Sequence, residues 1–472
     1  MTAAARLTVE ARRAEPPERE FSSFRDPSGF LFWRNGEIYR AVLEPYQRQL
    51  EAATASGLYA TCIADKLLLP FEAVDGGSDA GATIAVLKPR QLSLITYPYE
   101  WCFDQLKDAA IATLGLHLRA LEQQMILKDA SAYNIQFVDG RPCLIDHLSF
   151  DLLSEHGMWP AYGQFCRHFL APLALMSYVD LGLGRLAQLY IDGIPLELAA
   201  SLLPWRTRLS PGLSMHLHLH ARLLAKHAGA RHKITGRRLS SNALAGIAKS
   251  LLALVRSLSP KNQTTEWGAY YADTNYSDEA LAAKQRIVRE MVALAKPVTI
   301  WDVGANNGAF ARAVADLARE IVCMDVDPQA VNANYLACRN DGATNILPLI
   351  ADCTNPSPAI GFSNKERLAL DDRGSPDLIM ALALIHHLAI SHNLPFAHLA
   401  RHFAGRCEHL LIEFVAKSDS QVHRLLANRK DIFRDYSEER FREVFSDYFS
   451  IVLERSIPET RRTLYLMRRR TP

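Results

Sequence analysis

Residues 298–316 read VTIWDVGANNGAFARAVAD, an apolar run that reaches Asp302 and passes through Gly304, Asn306, Asn307 and Gly308 into a helix expected to open near Ala309. Glycines at such a turn let the backbone approach a ligand closely, and the free amides of a helix start can meet polar or anionic groups. A second apolar run, EIVCMDVDPQAV, ends at Asp325, about 20 residues on, where a carboxylate can hold a ribose diol. Asp327 stands two residues later, and either acid can instead cap a helix beginning at Pro328. A third run, NILPLIAD, ends at Asp352 beside Cys353. The fourth, DLIMALALIHHLAISHNLP, reads as a buried strand ending at His386 and His387. Neutral imidazoles there can take a proton from a hydroxyl or an amine, and Glu413 in HLLIEFV is a candidate orienting or substrate-binding carboxylate. The G-x-N-x-G turn departs from the G-x-G-x-x-G fingerprint of dinucleotide sites.

A second constellation lies upstream, in KDASAYNIQFVDGRPCLIDHLSF, residues 128–150. Asp129 and Asn134 are five apart after a long helical piece, and a hairpin through Asp139-Gly140 leads on to Asp146. This spacing resembles that of the protein-kinase and aminoglycoside-kinase superfamily, H-R-D-x-x-x-x-N followed by a metal-binding Asp. The resemblance implies a base-like Asp129, with Asn134 and Asp146 as magnesium ligands for ATP. Leu127-Lys128 replaces His-Arg, Asp146-His147-Leu148 replaces D-F-G, and no glycine-rich loop precedes them. Arg40 or Lys88 would stand in for the nucleotide-binding lysine. A working phosphotransferase, a degenerate nucleotide sensor and a substrate-recognition domain all remain open for this half.

The elements that must position these groups differ between the two halves. Downstream of Pro297 strands alternate with helices, a βαβ rhythm that predicts a mostly parallel sheet covered on both faces. Upstream, short strand-like pieces such as GFLFWRNGEIYRAV and TIAVLKP surround a long helix, an α+β order. Between Glu197 and Glu266 there is no Asp or Glu, while eleven Arg and Lys side chains lie between Arg206 and Lys261. The second half of that stretch, SSNALAGIAKSLLALVRSLSP, has the spacing of an amphipathic helix, read as a solvated linker or as a polar face for an acidic partner, RNA or anionic lipid. His216, His218 and His220 alternate, which a helix spreads around its circumference, so no metal site is expected there or elsewhere. The division expected is a flexible 1–19, an α+β domain over 20–200, a basic helical linker or insertion over 201–264, and an α/β domain over 265–472. YPYEW, residues 97–101, is aromatic enough for a ligand surface, an interdomain surface or a buried hinge.

The three strand ends and the glycine turn together resemble the class I S-adenosylmethionine-dependent methyltransferases over about residues 265–472. The resemblance implies a Rossmann-like domain whose 302–308 loop cradles the methionine part, with Asp325 on the ribose and Asp352 and Cys353 flanking the adenine. The segments WGAYYADTNYSDEA, WDVGANNGAFAR, DCTNPSPAIGFSNKERLALDDR, ALALIHHLAI, LIEFVAK and RTLYLMRR also resemble a narrower bacterial group. Its members are labelled class I methyltransferases or relatives of a host-specificity nodulation protein. Within these segments and their flanks Tyr270, Tyr271, Tyr276, Asn364, Arg367, Lys417 and Arg429 are candidate lid or substrate contacts, or solvated ion pairs. Asn355-Pro356-Ser357-Pro358 looks like an N-P-P-Y motif but follows the third strand rather than the fourth. Cys353 and Cys407 lack the Pro-Cys context of covalent base methylation.

Composition bounds the rest. At 472 residues the chain is long enough for two or more cores, and 49% hydrophobic with 22% charged residues excludes a largely disordered, collagenous or coiled-coil chain. A net charge of +2 gives no global field for nucleic acid. The eight cysteines show no zinc-knuckle spacing and read as reduced thiols, and with no secretory leader or long apolar run the expectation is a cytoplasmic protein without stable membrane insertion. The activity expected is methyl transfer to a hydroxyl or amine of a small molecule, glycan or secondary metabolite. An RNA methyltransferase using residues 205–261, a kinase–methyltransferase fusion and a non-catalytic S-adenosylmethionine-binding scaffold are the alternatives.

Overall fold

The computed structural model describes residues 18–74, 83–227, 238–261, 277–427 and 430–470. Tyr270, Tyr271, Tyr276 and Arg429 lie outside them, as do Arg231, Lys233 and Arg237 of the basic stretch. The N-terminal pieces form an antiparallel sheet of five strands, β1 (Glu18–Arg19), β2 (Gly29–Arg34), β3 (Glu37–Leu43), β4 (Phe71–Val74) and β5 (Thr83–Pro89), in the order β1-β2-β3-β5-β4. Asn35 and Gly36 join β2 to β3 at φ of 54° and 77°, the left-handed pair that a two-residue hairpin needs. After the Phe103–Glu122 helix come β6 (Met125–Leu127), the hairpin β7 (Ile135–Val138) and β8 (Arg141–Leu144), and β9 (Phe150–Leu152), which pairs with β6. The hairpin turns at Asp139 and Gly140, both at positive φ.

The amphipathic helix read from the basic stretch forms at Ser241–Ser257 and serves the core. Leu244, Ala248, Leu251 and Val255 recur at helical spacing and are buried, packed on the Phe103–Glu122 helix, and Lys107 Nζ donates to the Leu258 carbonyl at 2.7 Å. Upstream, the histidines sit on an inner face. His216 bonds Tyr162 and Ser250, both at 2.9 Å, and His218 bonds Thr207 at 2.9 Å.

The C-terminal half begins with the Asp278–Ala295 helix and builds one sheet from β10 (Thr299–Val303), β11 (Glu320–Asp325), β12 (Ile346–Ile350), β13 (Leu378–Ala381), β14 (His409–Val415), β15 (Phe449–Ser456) and β16 (Arg462–Arg469). The order is β12-β11-β10-β13-β14-β16-β15, with β10 to β14 parallel and β16 antiparallel to both neighbours. All of β13 and all of β14 but its first residue are buried, which is why these segments read as unbroken apolar runs. This is a Rossmann-like α/β sheet whose order reverses between β10 and β13, and ligands of such sheets bind at the strands' carboxyl ends beside that reversal.

The fourth strand is shorter than the sequence suggests. It stops at Ala381, Ala383 turns at φ 49°, and His387 opens a π-helical turn, His387–Ser391, that His386 caps, so neither histidine is at the strand end. A φ in the left-handed region breaks the extended ladder before the histidines are reached.

YPYEW is the buried seam between the halves. Arg373 donates to the Ile95 carbonyl at 2.6 Å and pairs with Glu100, both side chains almost fully buried, and the Leu368 amide donates to Tyr97 Oη at 2.9 Å. Asp104 and Asn332 exchange two hydrogen bonds, Gln105 donates to the Pro348 carbonyl, and Tyr335 donates to Asp108 at 2.7 Å. Cys102 packs with Val331, Tyr335 and Ile350, so the Phe103–Glu122 helix that it caps lies against β12 and the Pro328–Asp341 helix. Seven cysteines are buried, Cys353 is exposed, and none is in a disulfide.

Candidate functional site

The glycine turn is held by the neighbouring strand. Gly304, Asn306 and Gly308 have φ of 75°, 49° and 73°, and a Cβ on Gly308 would stand 2.2 Å from Asn334 Oδ1. The Asn306 amide donates to Asp325 Oδ2 at 2.8 Å, and the Asp327 amide to Asp325 Oδ1 at 2.9 Å. Asp327 is the helix cap, accepting from the Gln329 and Ala330 amides, which leaves Asp325 as the acid that fixes the turn to β11. Asn307 Oδ1 accepts from the Ala309 amide, and Arg312 holds the Asn307 carbonyl at 2.6 Å. At the end of β12, Asp352 Oδ1 accepts from the Thr354 amide and hydroxyl, beside the exposed Cys353. Asp302, Gly304, Asn306, Asn307, Gly308, Asp325, Asp352 and Cys353 therefore share one edge of the sheet. A cavity of about 230 Å³ opens beside Cys353 and Thr354, walled by Trp301, Met324, Leu399 and Phe403.

Beneath this edge lies a buried charge network. Asp302 is 2% exposed and its Oδ2 has no hydrogen-bond partner among the described residues. Burial pushes its carboxyl up to about 7, Lys284 opposing and Asp325 adding to the rise. Lys284 lies 2.6 Å from Glu413 and sits over the Phe310 ring at 4.5 Å, while Arg462 binds Glu413 at 3.3 Å and Asp419 at 2.8 Å. Glu413 is fully buried between the two cations. What it does is accept the Ala383 amide at 2.9 Å, anchoring the turn that leads to the histidines. Sequence reading missed Lys284 and Arg462. The signal for Lys284 was present: it is four residues after Ala280 and four before Val288, a charged side chain in a buried apolar stripe.

Gly304 and the histidine turn are neighbours, because a Cβ on Gly304 would lie 3.2 Å from Leu384 Cδ1. His386 is fully buried and neither ring nitrogen has a partner among the described residues. Burial, the adjacent His387 and Arg462 hold it neutral. The two rings are 4.1 Å apart; His387 is half-buried, and burial with His392 lowers its pKa to about 4. Only His387 of the pair keeps access to solvent.

The chain is 35% identical over 465 residues to the nodulation protein NoeA of Rhizobium meliloti (strain 1021), a match covering 97% of each. It belongs to the NoeA family. No family model matches the chain. Among solved structures, the N-methyltransferase NodS of Bradyrhizobium japonicum WM9 with S-adenosyl-L-homocysteine is 11% identical, covering 44% of this chain and 100% of that one at a TM-score of 0.32. Magnesium protoporphyrin IX methyltransferase of Synechocystis PCC 6803 is 15% identical, covering 43% and 92% at 0.32. The fold assignment rests on the strand order and register described above.

In this NoeA-family chain the N-terminal trio also converges. Asp129 accepts from Gln164 at 2.8 Å and from the Ser131 amide at 2.9 Å, and its carboxyl is pushed up by burial and by Asp146, with an Asn134 hydrogen bond opposing. Arg40 is buried and lies 2.7 Å from Asp146 while also pairing with Asp26. Lys88 pairs with Glu37 at 2.8 Å on the outer face of the sheet. Among the described residues no group of three or more His, Cys, Asp or Glu side chains is arranged for a metal ion. Of the remaining candidate contacts, Arg367 lies 4.5 Å over the Tyr133 ring, Lys417 pairs with Asp431 at 2.7 Å, and Asn364 occupies a turn at φ 54°.

Proposed function

We propose that this chain is an S-adenosylmethionine-dependent methyltransferase acting on a hydroxyl or amine of a small molecule, glycan or secondary metabolite. The observation that carries the reading is the Gly304–Gly308 turn, bonded to Asp325 at the topological switch point, above an Asp302 Oδ2 that has no hydrogen-bond partner among the described residues. The residues fit the cofactor: the turn has no room for a side chain at Gly308, and a buried acceptor stands two residues before Gly304. Asp302 and the 304–308 backbone would hold the methionine part. The second lone pairs of the Asp325 oxygens would take the ribose diol, and Asp352, Cys353 and the apolar cavity wall would flank the adenine. When bound, S-adenosylmethionine supplies an electrophilic methyl group on a sulfonium sulfur. Glu413 positions the 383–387 turn, and His387, neutral at pH 7, accepts the acceptor's proton or holds its hydroxyl or amine in line. His386 packs behind it.

The test is calorimetric titration of the full-length protein with S-adenosylmethionine, S-adenosylhomocysteine and NAD. Binding of the first two, lost in Asp325→Ala, supports the reading, and binding of NAD alone would sink it. A second reading is favoured by the meeting of Asp129, Asn134 and Asp146: a kinase-like N-terminal domain over 20–200 that serves substrate recognition. Arg40 holds Asp146 where a magnesium ion would need it, so the trio as arranged does not fit ATP with magnesium. Magnesium-dependent ATP binding lost in Asp146→Ala would reverse that conclusion.

A further inference from the structure

The segment from Leu202 to Lys226 carries an exposed surface that neither the glycine turn nor the N-terminal carboxylates use. Trp205 is 73% exposed and Leu209 71%, and Met215, Leu219 and Leu223 are each about half exposed. Their positions follow from helical spacing. Met215, Leu219 and Leu223 recur every four residues on an outer face, while Leu213, Leu217 and Ala221 recur on the buried inner one. The Trp205–Leu209 turn is tied to the same helical run from inside, by the buried pair Thr207 and His218. Both pieces therefore present their apolar side chains outward from one anchored unit.

Charge completes the pattern. Arg206, Arg208, Arg222 and Lys226 are exposed among these side chains, and none is in an ion pair among the described residues. Arg208 and Arg222 both act on the His218 ring, so cations from the two pieces converge there. The acids flanking this surface, Asp192 and Glu197, border a groove next to Leu224, and the sequence then offers no acid until Glu266.

We infer that this surface docks on an anionic phospholipid bilayer. Trp205, Leu209, Met215, Leu219 and Leu223 enter the boundary between headgroups and acyl chains, and the four cations meet lipid phosphates. An exposed apolar patch rimmed by unpaired cations gains on both counts at such a boundary. A nucleic acid would satisfy the cations and stack on Trp205, but would leave four aliphatic side chains without an apolar partner. No helix among the described residues is long and apolar enough to cross a membrane, so the docking is peripheral.

The experiment is flotation of the full-length protein with vesicles of equal parts phosphatidylcholine and phosphatidylglycerol, against vesicles of phosphatidylcholine alone. Binding is expected only to the anionic vesicles. Each cation near the surface contributes about fivefold, so Arg206→Ala with Arg208→Ala weakens it roughly 30-fold. Leu209→Ser with Leu219→Ser weakens it at unchanged melting temperature. Quenching by bromine-labelled lipid, summed over the six tryptophans, falls in Trp205→Phe. A folded protein that ignores anionic vesicles, or binding indifferent to both double variants, would overturn the inference. So would salt-sensitive RNA binding in place of vesicle binding, unaffected by the leucine changes.

Discussion

Replacing Asp302 with Asn keeps the size of the side chain and removes a carboxyl whose pKa burial raises from 3.8 to about 7. Below pH 3.8 that carboxyl is protonated in the folded and the unfolded chain and makes no difference. Between 3.8 and about 7 only the unfolded chain releases the proton, so each pH unit takes about 1.4 kcal/mol from the folded state. Above 7 both states are ionised and the whole deficit, at most about 4 kcal/mol over that span, is in place. Asn titrates nowhere in this range. Asp302→Asn should therefore match wild type near pH 4, gain on it as pH rises to 7, and hold the gain to pH 9. Urea unfolding of both proteins at successive pH values reads the gap. A variant no more stable than wild type at pH 8, with no gap opening between 4 and 7, would refute the claim that Asp302 is a desolvated, unpartnered acid.

Other perturbations address the turn, the seam and the histidines. Gly308→Ala should abolish S-adenosylhomocysteine binding by calorimetry with little loss of helix by circular dichroism, because a Cβ at φ 73° would press on the Asn334 amide at 2.2 Å. Glu100→Ala leaves Arg373 buried and without its ion-pair partner, so unfolding should become easier by about 3–5 kcal/mol, whereas breaking an exposed pair such as Arg289–Asp316 should change stability far less. His387→Gln should lower kcat by about 10²-fold or more with KM little changed, and His386→Gln should mainly alter stability. Because burial lowers the His387 pKa to about 4, the base form is present above that value and lost below it. The wild-type rate should then stay flat with pH from 6 to 8 where His387 alone limits it.

Much of the site was legible because the strands that build it are buried on both faces. Runs such as TIWDV and EIVCMD read as central parallel strands, and an Asp at or next to the end of each marks the sheet's ligand edge. The glycine turn was legible for the same reason: Gly304 and Gly308 sit where φ is positive. The end of the fourth strand was not, because LIMALALIHHLAIS is equally apolar as a strand and as a strand followed by a turn. What decides between them is the Glu413 bond to the Ala383 amide, a contact across thirty residues. The Ser241–Ser257 helix was read correctly as amphipathic, but its periodicity could not say that the apolar stripe meets the Phe103–Glu122 helix. The exposed leucines between 202 and 223 are likewise invisible to sequence, because aliphatic residues at helical spacing read as core until the inner face is found to be filled already.

The central claim is that the edge formed by Asp302, Gly304, Asn306 and Asp325 binds S-adenosylmethionine, and the most direct measurement is calorimetric titration of the purified full-length chain with S-adenosylhomocysteine. Saturable one-to-one binding, lost in Asp325→Ala and in Gly308→Ala while both variants keep their folded spectra, is the result predicted. A folded wild-type protein that takes up neither S-adenosylhomocysteine nor S-adenosylmethionine, or one whose binding survives both substitutions, would contradict it.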